Sequence, residues 1–464
     1  MSPGELGILF VVASLILLLS GMPVAFALGS VSVLFMLIFM PLSNLGQLAE
    51  TLYQGMDNFT LLAIPLFMLM GIAVGRTRAA ADLYESVYRW THRLPGGLGV
   101  ANVIGCAIFA AMCGSSTATS AAIGAMGVPE MRQRGYPAGF AGALVASGGT
   151  LGILFPPSVT LILYGIVAEQ SIGRLFLAGI VPGLLLMSLF AAWVIIRSHY
   201  RDRGTRRRGA PRAAVRGGSA GAAAVAFQTV GEAAIAVEHF TWRERVESLP
   251  RLVPFFSIIA VVMLALYGGY ATPSEVSGVG AFATLIMVAI VYRCYRWRDI
   301  QNIVLGTAEY ASMIMMIIAM AFVFSYVMSY LYITQSTTEW LVGLHMSRWE
   351  FLFWIDVLVI LMGFFLPPVA IVLMITPVIM PGLLAHGFNP VWFGVNMSLV
   401  METGLIHPPV GLNLFVIQGI APDIGLKDLI LAVLPFLVII LGFIVVLSAF
   451  PQIALALTHV FFRS

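Results

Sequence analysis

The chain has 464 residues, of which 60% are hydrophobic and only 10% charged, with a formal net charge of +3. A mean hydropathy of +0.98, with far less charge than the roughly 25% of soluble domains, excludes a water-soluble globular protein. Apolar runs long enough to cross a hydrocarbon core of about 30 Å recur along the chain, and the alternating strands of a transmembrane barrel do not, so the expected class is an all-α polytopic membrane protein.

Gly4–Ser20 and Pro23–Met40 read as two apolar helices hinged at Gly21-Met22-Pro23. The first lacks the basic start of a signal peptide, carries Glu5 instead, and is expected to stay in the mature chain. Ser43–Asn58 is amphipathic and suits the membrane surface. Phe59–Gly75 spans, and Ala79–Leu94 places Leu83, Val87, Trp90 and Leu94 on one face of a second interfacial helix. Leu98–Glu130 is apolar but broken at Cys113-Gly114-Ser115, which predicts a re-entrant hairpin over 98–130. Pro137–Val167 would measure about 46 Å as one helix at 1.5 Å per residue. Its Gly148-Gly149 and Pro156-Pro157 interruptions predict a broken helix over 137–167. Ile172–Ile196 completes a first half, 1–197.

Residues 198–250 read as a linker rich in Arg, Gly and Ala, with a short helix around Ala220–His239. The second half, 251–464, follows the same plan. Leu252–Tyr267 and Pro273–Tyr292 repeat the opening pair, Ala311–Ile333 spans, and Thr337–His345 is interfacial. A second hairpin is expected over 350–380, a second broken helix over 390–420, and a last span at Leu429–Phe450.

The two halves share a register. An offset of 252 residues carries Pro129 to Pro381, Gly135 to Gly387, Gly152 to Gly404, and Pro156-Pro157 to Pro408-Pro409. Hydrophobic segments interrupted at corresponding places in two halves point to the binding site of a secondary transporter. Counting ten crossings and two re-entrant hairpins puts every Lys and Arg on one side except Arg174, Arg348 and Arg463. By the positive-inside rule both termini are then periplasmic and the halves form an inverted repeat.

Non-helical backbone at membrane depth survives only when buried in protein or lining a cavity. Four breaks meet that description: Gly114–Thr119, Ser147–Pro157, Gly363–Pro368 and Glu402–Pro409. The hydroxyls of Ser115, Ser116, Thr117, Thr119 and Thr150, with carbonyls at helix ends, form a neutral hard-oxygen set suited to an alkali cation. Small residues of this kind also serve plain helix packing, but their recurrence across two halves favours a site. Glu402 and His407 are ionisable groups within the second break and so functional candidates. Each also has a structural alternative, a buried hydrogen bond for Glu402 and a polar cap for His407. Asp356 is read as meeting water, and Met313–Met320 as packing. Cys106, Cys113 and Cys294 show no metal-ligand spacing. The Arg197–Arg216 cluster adjoins a span end, where binding to the lipid surface outweighs binding to nucleic acid. No P-loop, HExxH or GxSxG occurs, which argues against an enzyme.

At these residues the chain resembles the large membrane subunit, DctM type, of tripartite ATP-independent periplasmic (TRAP) transporters. The resemblance rests on LLAIPLFMLMG (61–71), CGSSTA (113–118), PEMRQRGY (129–136), GTLGILFPPS (149–158), SIGRLFLAGIVPG (171–183) and ETGLIHPPVGLNLF (402–415). It implies an elevator-type carrier in the bacterial inner membrane, coupled to sodium and needing no other cofactor. It also implies a small four-helix membrane subunit of DctQ type and a periplasmic solute-binding protein of DctP type that delivers an organic acid. Family sodium sites map onto Ser115, Ser116, Gly149, Thr150 and Gly152, and onto Gly363, Thr403 and Gly404. Substrate contacts are expected among Thr117, Thr119, Pro156, Glu402, His407 and Pro408. The chain departs from the family pattern in three places: His407 stands where threonine is usual, Pro367 where an acidic residue is common, and the linker is long. The alternatives are a stand-alone carrier of related fold, or a membrane-embedded enzyme or assembly subunit.

Overall fold

Four helices begin with the same local chemistry. Ser2/Glu5, Thr241/Glu244, Thr272/Glu275 and Ser347/Glu350 each close a capping box, in which the hydroxyl and the carboxylate satisfy each other's orphan backbone N–H groups. A computed structural model of the chain describes residues 1–207, 240–408 and 411–462. Among the described residues the regular structure is helical throughout.

In order, the helices are α1 Pro3–Leu19, α2 Val24–Phe39, α3 Leu45–Met56, α4 Ala63–Gly75, α5 Ala79–Thr91, α6 Gly97–Cys113, α7 Ser116–Gln133, α8 Ala138–Gly149, α9 Val159–Val167 and α10 Ile172–Arg207. They continue with α11 Trp242–Tyr267, α12 Pro273–Ile290, α13 Trp297–Tyr330, α14 Ile333–Gly343, α15 Arg348–Gly363, α16 Pro368–Ala385, α17 Pro390–Ile406, α18 Leu412–Ile420, α19 Leu426–Ala449 and α20 Gln452–Phe461. Both expected hairpins are helix pairs, α6–α7 and α15–α16, and both expected broken helices are interrupted, α8–α9 by a short 3-10 turn at Thr150–Ile153 and α17–α18 after Ile406. Six helices among the described residues are long and apolar enough to cross a membrane, α10 to α13, α16 and α19, and the bent pair Leu42–Met56 plus Phe59–Gly75 adds a seventh if it is one span.

The register of the sequence reappears in the helix ends. The 252-residue offset carries both ends of α7, Ser116 and Gln133, onto both ends of α16, Pro368 and Ala385, and the start of α8 onto the start of α17. Pro129 and Pro381 sit inside α7 and α16 at matching positions.

Three boundaries differ from expectation. The helix expected at Ala311–Ile333 starts at Trp297, because the charged stretch before Ala311 has no proline to stop it and simply continues past the apolar run. Helix also fills both ends of the expected linker, since α10 runs on to Arg207 and the Thr241 capping box starts α11 at Trp242. The helix expected around Ala220–His239 lies outside the described residues. A terminal helix, α20, follows Pro451 and packs on α10, and hydropathy gave no reason to separate it from the last span.

Two packing groups result. α2, α4 and α11 to α13 lie together, with α12 on α4, α13 on α2 and α4, and α11 on α5 and α12. The hairpins and broken helices form the other group, with α8 against α6, α7 and α19, and α17 against α15 and α19. Two buried hydrogen bonds tie that group together: Tyr164 Oη donates to the Pro390 carbonyl at 2.7 Å, and Trp392 Nε1 donates to the Leu447 carbonyl at 3.0 Å. At its edge, the Arg132 guanidinium holds Asp423 through two hydrogen bonds and lowers its carboxyl from the ordinary value.

Candidate functional site

The first hairpin turns at Gly114, whose φ of +62° suits a residue without a side chain. A Cβ there would lie 2.6 Å from the Pro157 carbonyl oxygen, so the tip presses backbone to backbone on the break between α8 and α9. Ser115 is extended and caps α7, its hydroxyl accepting from the Ala118 N–H at 3.4 Å. The glycines of the break accept the tip in turn. A Cβ on Gly149 would fall 2.0 Å from Ser120 Oγ and 2.8 Å from the Ser116 carbonyl oxygen, and one on Gly152 would fall 3.2 Å from the Ser116 nitrogen. Ser115, Ser116, Gly149, Thr150 and Gly152 are thus gathered at one junction.

Ser116 also reaches the other half. Its hydroxyl donates to Glu402 Oε1 at 2.6 Å, and both residues are buried, Glu402 completely. Glu402 occupies the position the offset assigns to Thr150, so the helix leading into the second break reaches the first tip. Glu402 Oε2, Ser120 Oγ and Ser147 Oγ are buried with no hydrogen-bond partner among the described residues. Buried polar atoms rarely stay orphaned, and here they adjoin the junction of a carboxylate, hydroxyls and carbonyls. That is a set of hard oxygen donors. No cluster of three His, Cys, Asp or Glu side chains occurs among the described residues.

The second junction is a direct backbone contact. A Cβ on Gly404 would lie 2.7 Å from Gly363 Cα and 3.0 Å from its carbonyl oxygen, so α15 and α17 touch through glycine backbone. Gly404 and Gly152 are related by the offset, and each packs on a hairpin tip. Thr403 turns its hydroxyl back to the Leu399 carbonyl at 3.0 Å within its own helix. His407 stacks on Phe364 with ring centroids 4.7 Å apart, and its Nδ1 hydrogen-bonds the Pro408 carbonyl. The second break is thereby clamped to the second tip by an aromatic pair.

Of the remaining candidates, Thr119 spends its hydroxyl on the Ser115 carbonyl at 2.8 Å, and Thr117 Oγ1 lies 3.3 Å from Ser115 Oγ. Pro156 is buried in the first break, and Pro408 lies at the turn of the second. Thr150 donates to the Ser147 carbonyl at 2.6 Å and keeps its oxygen as an acceptor. Sequence reasoning missed Ser120 and Ser147, one helical turn from Ser116 and Thr150. Asp356, read as meeting water, is half-buried and also accepts from Asn396 Nδ2 at 2.9 Å, a partner sequence reasoning missed. A polar residue inside the apolar run of α17 was the available signal for Asn396.

Helix breaks buried against one another at membrane depth belong to a polytopic membrane transporter. The comparisons make the class specific. The family model described as tripartite ATP-independent periplasmic transporter, DctM component, matches residues 11–453. The chain is 33% identical over 457 residues to the C4-dicarboxylate TRAP transporter large permease protein DctM of Rhodobacter capsulatus, covering 96% of both. It is 33% identical over 433 residues to the protein of the same description from Pseudomonas aeruginosa, covering 93% of this chain and 94% of that one. A sialic acid TRAP transporter large permease protein from Vibrio cholerae is 29% identical, covering 96% of each chain. Among solved structures, the YdaH transporter of Alcanivorax borkumensis shares the fold, with a TM-score of 0.62 at 15% identity, over 98% of this chain and 100% of that one. The chain belongs to the DctM family of TRAP transporter large permease subunits. It is a multi-pass membrane transport subunit and not an enzyme.

Proposed function

We propose that this subunit imports a small organic acid across the bacterial inner membrane, driven by sodium and supplied by a periplasmic solute-binding protein. A small DctQ-type membrane subunit completes the assembly in this reading. The C4-dicarboxylate and sialic acid relatives, both named for carboxylate substrates, support the substrate class. The observation that carries sodium coupling is the junction of Ser116 with Glu402 beside three orphaned buried oxygens. A cation there would draw on Ser115, Ser116, Gly149, Thr150 and Gly152, with Glu402 supplying the one formal negative charge. A second cation would sit where Gly363 meets Gly404, with Thr403 adjacent, and the organic acid near Thr117, Pro156 and Pro408.

The matched ends of α7 and α16, and the near-total exclusion of Lys and Arg from one side, support an inverted repeat with both termini periplasmic. In an elevator cycle the hairpins and broken helices move as a body past α2, α4 and α11–α13. Organic-acid uptake into proteoliposomes, with the small subunit and binding protein present, tests the whole reading. Uptake should rise with an inward sodium gradient and stop when potassium replaces sodium, and sodium-independent uptake would overturn it.

A further inference from the structure

Asp356 lies mid-way along α15, in the arm leading to the second tip, and faces α17. Its Oδ1 accepts from Asn396 Nδ2 at 2.9 Å. Asn396 is fully buried, and its own Oδ1 has no partner among the described residues. The pair therefore holds one donor too few: the buried Asn396 Oδ1 has none, and the half-buried Asp356 carboxyl has this one neutral donor.

Among the described residues no neighbouring charge repairs this. α16 carries no titratable side chain, and the one on α17, Glu402, is bonded to Ser116. On α15 itself Glu350 closes the Ser347 cap, and Arg348 lies over the Phe388 ring at 4.3 Å, about 12 Å along the helix from Asp356 at 1.5 Å per residue. His386, just beyond α16, stacks on Phe351.

The pair is not a requirement of the fold. The offset places Ile104 on α6 and Leu144 on α8 at the matching positions, and those two helices pack with apolar side chains there. A hydrogen-bonded acid and amide in the second half alone is an addition to the shared plan. An acid packed on an apolar helix bundle is a functional candidate, and where it is shielded from water its neutral form is the inexpensive one.

We propose that Asp356 carries a proton in this arrangement and that the Asp356–Asn396 pair is a proton-binding site on the second hairpin arm. A proton on Asp356 supplies the missing donor. The carboxyl O–H then donates to Asn396 Oδ1 while Asn396 Nδ2 donates back, which closes a two-hydrogen-bond acid–amide ring and satisfies both residues. Parting α15 from α17 would break the ring with Asn396 and release the proton, so occupancy follows the packing of this arm.

The test is infrared spectroscopy of the purified protein at neutral pH, which requires no transport and so stands apart from sodium coupling. The wild type should show the carbonyl stretch of a protonated carboxyl, shifted in deuterium oxide and absent from Asp356→Asn. Asn396→Val should keep that band at the higher frequency of a carboxyl without its amide partner, and it serves equally if Asp356→Asn fails to fold. In proteoliposomes at fixed sodium, the wild type should respond to an imposed pH gradient and Asp356→Asn should lose at least half of that response. Identical carboxyl bands in wild type and Asp356→Asn would overturn the proposal. So would a carboxylate band at Asp356 that moves on adding sodium, since the ligand would then be the metal cation.

Discussion

Ser116 and Glu402, 286 residues apart in sequence, share a hydrogen bond of 2.6 Å inside the protein. One residue opens the second arm of the first hairpin, and the other sits one turn before the end of α17. The contact joins the two halves close to both breaks. A hydroxyl that donates to a carboxylate keeps its lone pairs, so Ser116 can coordinate a cation while oriented by Glu402.

Replacing Ser116 with alanine removes that oxygen. A buried polar interaction is worth about 1–3 kcal/mol, so the sodium concentration for half-maximal uptake should rise roughly 5- to 150-fold. Sodium-titrated uptake in proteoliposomes checks this, with size-exclusion profiles confirming folded protein. If Ser116 serves packing alone, the sodium curve will not move and any loss of uptake will follow loss of folded protein.

Glu402→Gln keeps an oxygen to accept from Ser116 but removes a formal charge from the junction. The glutamine amide also brings a donor into a pocket of acceptors. We expect a folded protein whose sodium affinity falls by about tenfold or more, a change of roughly 1.4 kcal/mol. An unchanged sodium curve would reduce Glu402 to a structural hydrogen-bonding residue.

The breaks were legible in the sequence because glycine and proline interrupt apolar runs there for reasons any bilayer imposes. The repeat was legible because its offset is constant at Pro129/Pro381 and Gly152/Gly404. Two things were not legible. The meeting of Ser116 with Glu402 depends on how the halves pack, and no local pattern encodes a pairing at that separation. The start of α13 lies in charged sequence, where hydropathy is silent and no side chain caps the helix. The Thr241–Glu244 capping box was visible in the sequence and marks the true start of α11.

Close backbone approach makes Gly404 intolerant. A methyl group there would sit 2.7 Å from Gly363 Cα and 2.8 Å from its carbonyl carbon, and backbone on both sides cannot yield as a flexible side chain would. Overpacking of this kind costs about 1–3 kcal/mol. Gly404→Ala should abolish uptake or lower the melting temperature of the purified protein. Gly442→Ala is the control, since α19 has nothing within 4 Å of that position, and it should behave as wild type. Normal uptake in both variants would show that α15 and α17 are looser than this contact implies.

Orientation has a direct test at two exposed positions related by the offset, Gln133 at the end of α7 and Ala385 at the end of α16. The adjoining glycines, Gly135 and Gly387, are poorer choices, because their φ values of +77° and +70° would strain a cysteine. Cys106 and Cys113 are buried and Cys294 partly so, and all three are replaced by alanine before labelling. In the proposed orientation Arg132 and Arg134 are cytoplasmic, and Arg348, at the start of the second hairpin, lies on the opposite side. Gln133→Cys should therefore resist a membrane-impermeant maleimide in cells whose outer membrane alone is permeable, and react once the inner membrane is opened. Ala385→Cys should react in both conditions. Because α7 and α16 have matching lengths and matching internal prolines, labelling from opposite sides would mean that one plan is threaded through the membrane twice in opposite senses. Labelling from the same side would leave the shared register intact and remove the inversion, and with it the argument that the two tips enter from opposite faces.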